Sequence, residues 1–89
     1  MFKFEIGKVY RLTNANQILN KINPLIIITK KSKYYITFNV YEDGHIYDME
    51  FRRKINKFGG SIEYIKYSVS RNINLYSSHC IGELSDITK

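Results

Sequence analysis

The sequence predicts a mainly β fold, a small antiparallel barrel or sandwich of about five to six short strands with one short helix or a long first loop. Three observations carry that expectation. Asp43-Gly44 lies between two arms that mirror each other in polarity. Short apolar, β-branched segments recur at close spacing between turn residues. The 89-residue chain is one domain in length, with 8 Tyr and 5 Phe, no Trp and a single Cys. A domain of this size buries roughly 60–65% of the surface its unfolded chain exposes, so large rings supply much of the core.

The central hairpin is the best-determined element. Asp-Gly suits a two-residue type I′ turn, whose central residues both need positive φ and whose twist matches the flanking strands. With Glu42 opposite His45, one face pairs Val40 with Tyr47, Phe38 with Met49 and Ile36 with Phe51. The other face pairs Tyr41 with Ile46, Asn39 with Asp48, Thr37 with Glu50 and Tyr35 with Arg52. The first face is apolar at every rung and the second mostly polar. A slip of one residue would exchange the faces.

On the N-terminal side, Phe2, Phe4 and Ile6 alternate until Gly7 interrupts before Val9-Tyr10-Arg11-Leu12, the pattern of a strand with a bend or bulge. Thr13-Asn14-Ala15-Asn16 is turn chemistry. A short helix over about 17–22 or a surface loop follows, ended by Asn23-Pro24. Leu25 to Thr29 is a buried strand by composition, and Lys30-Lys31-Ser32-Lys33 turns the chain into the hairpin. Gly59-Gly60 makes a second break. Residues 62–69 fit strand better than helix, and residues 73–81 hold a last short strand. The domain spans residues 1–81, and the polar tail 82–89 is expected to fray.

Composition narrows the function. The formal net charge of +6 favours acidic partners: nucleic acid, an anionic surface or an acidic protein face. One Cys excludes a disulfide framework and a paired-cysteine zinc site. No basic segment followed by an apolar run opens the sequence, so no secretory signal is expected, and the longest apolar run, Leu25 to Ile28, is too short for a membrane helix. A cytoplasmic protein with no membrane partner is expected. Ile, Asn and Lys, all with A/T-rich codons, are abundant, which points to a low-GC bacterium or one of its phages.

Gly7-Lys8-Val9-Tyr10-Arg11-Leu12, with Pro24-Leu25-Ile26-Ile27, Ile36 to Tyr41, Asp43-Gly44 and Ile46 to Phe51 in that order, resembles SH3-like small barrels, among them short bacterial and phage proteins of unknown role. The resemblance covers about residues 6–55. It departs from that group in the long Thr13–Asn23 stretch, the missing middle-strand Trp and the extra C-terminal chain. It implies an adaptor or nucleic-acid-binding module and no enzyme.

Folding the charges onto the hairpin places Lys30, Lys31, Lys33, Arg52, Arg53, Lys54 and Lys57 near one pole, with Tyr34 and Tyr35 among them. Glu42, Asp43, Asp48 and Glu50 gather at the turn end. Cations with exposed rings suit single-stranded nucleic acid, though lysines also commonly blunt strand edges. A binding module for nucleic acid or a nucleoprotein is therefore the leading expectation. The second is a small phage or mobile-element inhibitor that blocks an acidic host protein such as a defence nuclease, an anti-CRISPR-like role. Tyr35, Tyr41 and Ile46 lie on the outward face of the hairpin. They are expected to be covered by residues 73–81, or else to form a protein interface such as a homodimer.

Catalytic and metal signatures are weak. His79 and Cys80 adjoin in sequence but would point to opposite faces of a strand. His45 and His79 lack ligand spacing. Asp48 and Glu50 share a face with Asn39 and Thr37, which cross-strand pairing explains. No phosphate-cradling glycine motif or cofactor signature is present, so no enzyme activity, cofactor or metal is expected.

Overall fold

A computed structural model describes residues 1–12, 25–42, 44–70 and 72–87. The strands are β1 (Lys8–Arg11), β2 (Leu25–Lys31), β3 (Tyr35–Glu42), β4 (His45–Ile46), β5 (Phe51–Lys54), β6 (Asn56–Phe58), β7 (Ile62–Ser68), β8 (Ile73–Tyr76) and β9 (Cys80–Glu83). A 3₁₀ turn, Ser77–His79, precedes β9, and a single helical turn, α1 (Leu84–Ile87), follows it. The helix expected over about 17–22, and Asp43 of the hairpin turn, lie outside the described residues.

These strands form two antiparallel sheets, and no closed barrel is found among the described residues. In the first, β3 pairs with β2, β2 with β1 and β1 with β9, while both β4 and β5 pair with β3. In the second, β7 lies between β6 and β8. The chain crosses between sheets at Ile55, whose N–H donates to Tyr34 O at 2.7 Å. A parallel bridge from Phe2 to Ile62 ties the N-terminus to the second sheet. Between the sheets lies one core, in which Phe4, Tyr10, Leu12, Ile26, Ile28, Ile36, Phe38 and Val40 meet Ile65, Ile73 and Leu75. Phe51, Ile55 and Tyr67 pack at its margin. Each large apolar side chain removed from water contributes about 1.5–3 kcal/mol.

Near its turn the hairpin follows the expected register: Tyr41 pairs with Ile46 and Glu42 with His45. Gly44 has φ 74°, the positive value this turn requires. Farther out the second arm gains two residues. Phe38 faces Phe51, Thr37 faces Arg52, Ile36 faces Arg53 and Tyr35 faces Lys54, in place of the expected Met49, Glu50, Phe51 and Arg52. The excess is accommodated over residues 47–50, where the Asn39 side-chain amide donates to Tyr47 O at 3.0 Å and Met49 O at 3.2 Å. Because the excess is even, inward and outward faces are preserved beyond it. Tyr47 and Met49, expected inside, are exposed; with Val40 and Phe51 they line an apolar groove of about 240 Å³. Asn39→Ala removes both bonds and should lower stability by about 1–2 kcal/mol in urea titration. Disappearance of the Phe38–Phe51 nuclear Overhauser cross-peak should accompany it if the amide sets the bulge.

More strands form than expected because the bulge splits the hairpin arm into β4 and β5, and Ile55 separates β5 from β6. Residues 62–68 are strand, as expected. The C-terminal segment does not cover the hairpin's outward face. Ile73 and Leu75 enter the core, while Cys80–Glu83 pairs with β1. Tyr35 and Ile46 stay exposed and Tyr41 half-buried. Nor do residues 82–87 form a loose tail. Val9 pairs with Gly82, the Leu84 N–H donates to Gly7 O at 3.1 Å, and Lys8 meets Glu83 at 3.0 Å. That carboxylate raises the Lys8 pKa.

Tyr10 fastens the N-terminal segment to the core. Its hydroxyl accepts from Glu5 N at 2.8 Å and donates to Lys3 O at 3.4 Å, and its ring meets Phe4 edge-on. Burial pushes its pKa up to about 12 from the usual 10. An acid whose folded pKa lies above its unfolded value contributes full stability below the unfolded value and loses it as pH rises. Stability should therefore fall by about 1.4 kcal/mol per unit above pH 10. Tyr10→Phe should flatten that slope in denaturant titrations at pH 9–11, despite a lower starting stability.

Candidate nucleic-acid interface

The cations expected at one pole are divided among three settings and one structural site, with Lys57 apart from them. Lys31 is the structural one. A bulge in β2 between Ile28 and Lys30 shifts the alternation and turns its side chain inward, where Nζ donates to Glu63 Oε1 at 2.8 Å and Phe4 O at 2.9 Å. Two of the three N–H donors of that amine are thereby held by the fold.

The first setting is the outer face of the β2–β3–β5 ladder. Lys30, Thr37 and Arg52 form one row across three strands, with Tyr35 and Lys54 in the next. Arg52 stacks on Tyr35, its guanidinium carbon 4.1 Å from the ring centroid. Although the displaced register moves Glu50 toward the turn end, its carboxylate still lies within 3.8 Å of Lys30. The expected separation of acidic and basic ends is weakened there. An exposed pair of this kind is worth at most about 1 kcal/mol and is screened by salt.

A second setting is the β2–β3 turn, where Lys33 lies over Tyr34 at 5.4 Å. Both are exposed. Lys57 lies apart from both, on β6 opposite Glu63.

The third setting is a built concavity. β6 pairs with β7 only from Asn56–Tyr64 to Phe58–Ile62. One step earlier the chain has left β7 to pair with β3, so β5 and the second half of β7 diverge. Their fork is an open cleft of about 680 Å³ lined by Arg53, Lys54, Asn56, Lys66, Tyr67 and residues 68–70. Among the described residues three cations line it and no carboxylate does. Arg53 is half-buried; its guanidinium lies 5.6 Å from the Phe51 ring and donates to Arg52 O at 3.0 Å. Asn56 is held by a bond from its amide to Lys54 O at 3.3 Å. The cleft brings Arg53 and Lys54 together and adds Lys66, which was not among the sequence candidates. Its signal was available: in a strand over 62–68, Lys66 shares the outward side with Ile62 and Tyr64.

His79 meets the Tyr76 ring edge-on at 5.9 Å, whereas Cys80 is exposed with its sulfur 3.8 Å from Gly82 O. Among the described residues no three His, Cys, Asp or Glu side chains cluster as a metal site would need, and no helix is long and apolar enough to cross a membrane.

Fold and site together define a small, basic, mainly β domain with a cationic cleft where its two sheets part. No protein-family model, curated protein or solved structure is significantly similar to the chain.

Proposed function

We propose that this domain is a non-catalytic binding module for nucleic acid or a nucleoprotein. The observation that carries the reading is the carboxylate-free cleft in which Arg53, Lys54 and Lys66 converge. Phosphate recognition needs fixed cations and hydrogen-bond donors facing one concavity, and the cleft adds the Asn56 amide to its three cations. Lys30, Arg52 and Tyr35 extend the positive surface over the adjoining ladder. Binding should weaken steeply with salt, as counterion release requires, and reversal of Arg53 and Lys66 should abolish most of it. The strand path is further proposed to be an opened SH3-like barrel. Support comes from the crossing at Ile55 and the Phe2–Ile62 bridge, each of which links one sheet to the other.

A second reading, a small phage or mobile-element inhibitor of a host protein in the manner of an anti-CRISPR, is favoured by one observation. The apolar groove at Val40, Tyr47, Met49 and Phe51 is exposed and has no polar lining residue, which suits a protein surface better than a phosphate chain. In that case association should survive nuclease digestion and respond to Met49→Asp rather than to reversal of the cleft cations.

A further inference from the structure

The outer face of the second sheet carries a ring cluster beside the cleft. Three rows cross it: Phe58 opposite Ile62, Asn56 opposite Tyr64 and then Tyr76, and Lys66 opposite Asn74. Their strand neighbours Glu63, Ile65 and Leu75 are buried, so alternation turns these rows outward. The Tyr64 and Tyr76 rings lie 5.4 Å apart with planes 34° from parallel, and Phe58 approaches Tyr76 edge-on at 6.1 Å. Phe58 is 60% exposed, so the cluster presents ring surface to solvent rather than to the core.

The cluster is continuous with the cleft. Asn56 and Lys66 line the cleft; Asn56 shares a row with Tyr64 and Tyr76, and Lys66 lies in the next outward row. Lys66 is two residues beyond Tyr64, about 7 Å along the strand. These rows contain no carboxylate. Cations that track a phosphate chain thus border aromatic faces that can take its bases, which is the division of labour in single-strand recognition.

We infer that the outer face of the β6–β7–β8 sheet is a stacking platform for single-stranded nucleic acid. The sugar–phosphate chain runs through the Arg53–Lys54–Lys66 cleft, and bases stack on Tyr64, Tyr76 and Phe58. This inference rests on the nucleic-acid reading above and narrows it to single strands. A duplex keeps its bases stacked on one another and offers these rings only its ends.

Fluorescence anisotropy with labelled oligonucleotides of about 12 nucleotides tests it. The probes are an oligothymidine, an abasic strand of equal length and charge, a duplex, and an oligouridine that reads the sugar. Wild-type protein should bind the intact strands at least about tenfold more tightly than the abasic strand, since each stacked base is worth roughly 5- to 150-fold and three rings are offered. Phe58→Ser with Tyr76→Ser should remove most of the difference while leaving abasic-strand binding unchanged. The wild-type comparison needs no substitution, so a variant that fails to fold leaves the test intact. Equal binding of intact and abasic strands, with both abolished by Arg53→Glu/Lys66→Glu, would keep the cleft and overturn the platform. Absence of binding to every probe would overturn both.

Discussion

Lys31→Met is expected to destabilise the domain by about 3–5 kcal/mol, the cost of leaving a buried ion without its partner. A single oxygen, Glu63 Oε1, accepts both the Lys31 amine and the Phe4 N–H at 2.8 Å, and Lys31 also donates to Phe4 O. Glu63 is only 8% exposed. Three chain segments (the N-terminus, β2 and β7) therefore meet at one ion pair. Without the ammonium, the carboxylate keeps one neutral donor in a site largely closed to water. Small domains have a total stability of about 0.05–0.15 kcal/mol per residue, so this loss would leave little margin. Glu63→Met in the same background removes the stranded charge and leaves only the Phe4 N–H and C=O unpaired. The double variant should thus recover about 1–3 kcal/mol relative to the sum of the single variants. Urea unfolding followed by circular dichroism measures all four corners of the cycle. A Lys31→Met protein within about 1 kcal/mol of wild type would show that the node contributes little.

That node also marks the limit of what the residues disclose alone. Lys30-Lys31 reads as a basic turn, yet adjacent strand residues point to opposite faces, so once β2 extends to residue 31 one of the two must turn inward. Its partner, 32 residues away, has no signal in the sequence because residues 62–69 fit either strand or helix. Local chemistry is legible where it is self-contained. Asp-Gly fixes the turn and the first rungs, and alternation fixes the faces. The bulge at Asn39 is hidden for the same reason: an insertion of two residues leaves the alternation unchanged, and only the side-chain amide bridging Tyr47 O and Met49 O reveals it. The pairing of β9 with β1 is likewise invisible, since it depends on Lys8 meeting Glu83 across most of the chain. At the site, Arg53 and Lys54 stand out because they lie on the hairpin arm. Lys66 and the ring cluster do not, because their placement depends on where β5 leaves β7.

Arg53→Glu with Lys66→Glu should weaken nucleic-acid binding by about 100-fold, roughly tenfold for each reversed cation at a phosphate. The two residues come from different sheets and line one cleft, so the pair tests convergence rather than local charge. The change lowers the formal net charge by four from +6, which alone weakens attraction to any polyanion. Lys3→Glu with Arg11→Glu makes the same change in charge at exposed positions that do not line the cleft. That control should lose less than about tenfold, because charges that touch no phosphate act only through a field that salt screens. The plot of log affinity against log salt should flatten by about 0.7 for each phosphate of a single strand that is no longer neutralised. For the cleft pair that is about 1.4, and for the control pair close to zero. Circular dichroism and unfolding should be little changed in both, since neither Arg53 nor Lys66 makes an ion pair among those described. Equal losses in the two pairs would mean that affinity follows diffuse positive charge, and the cleft would then have no special claim on phosphate.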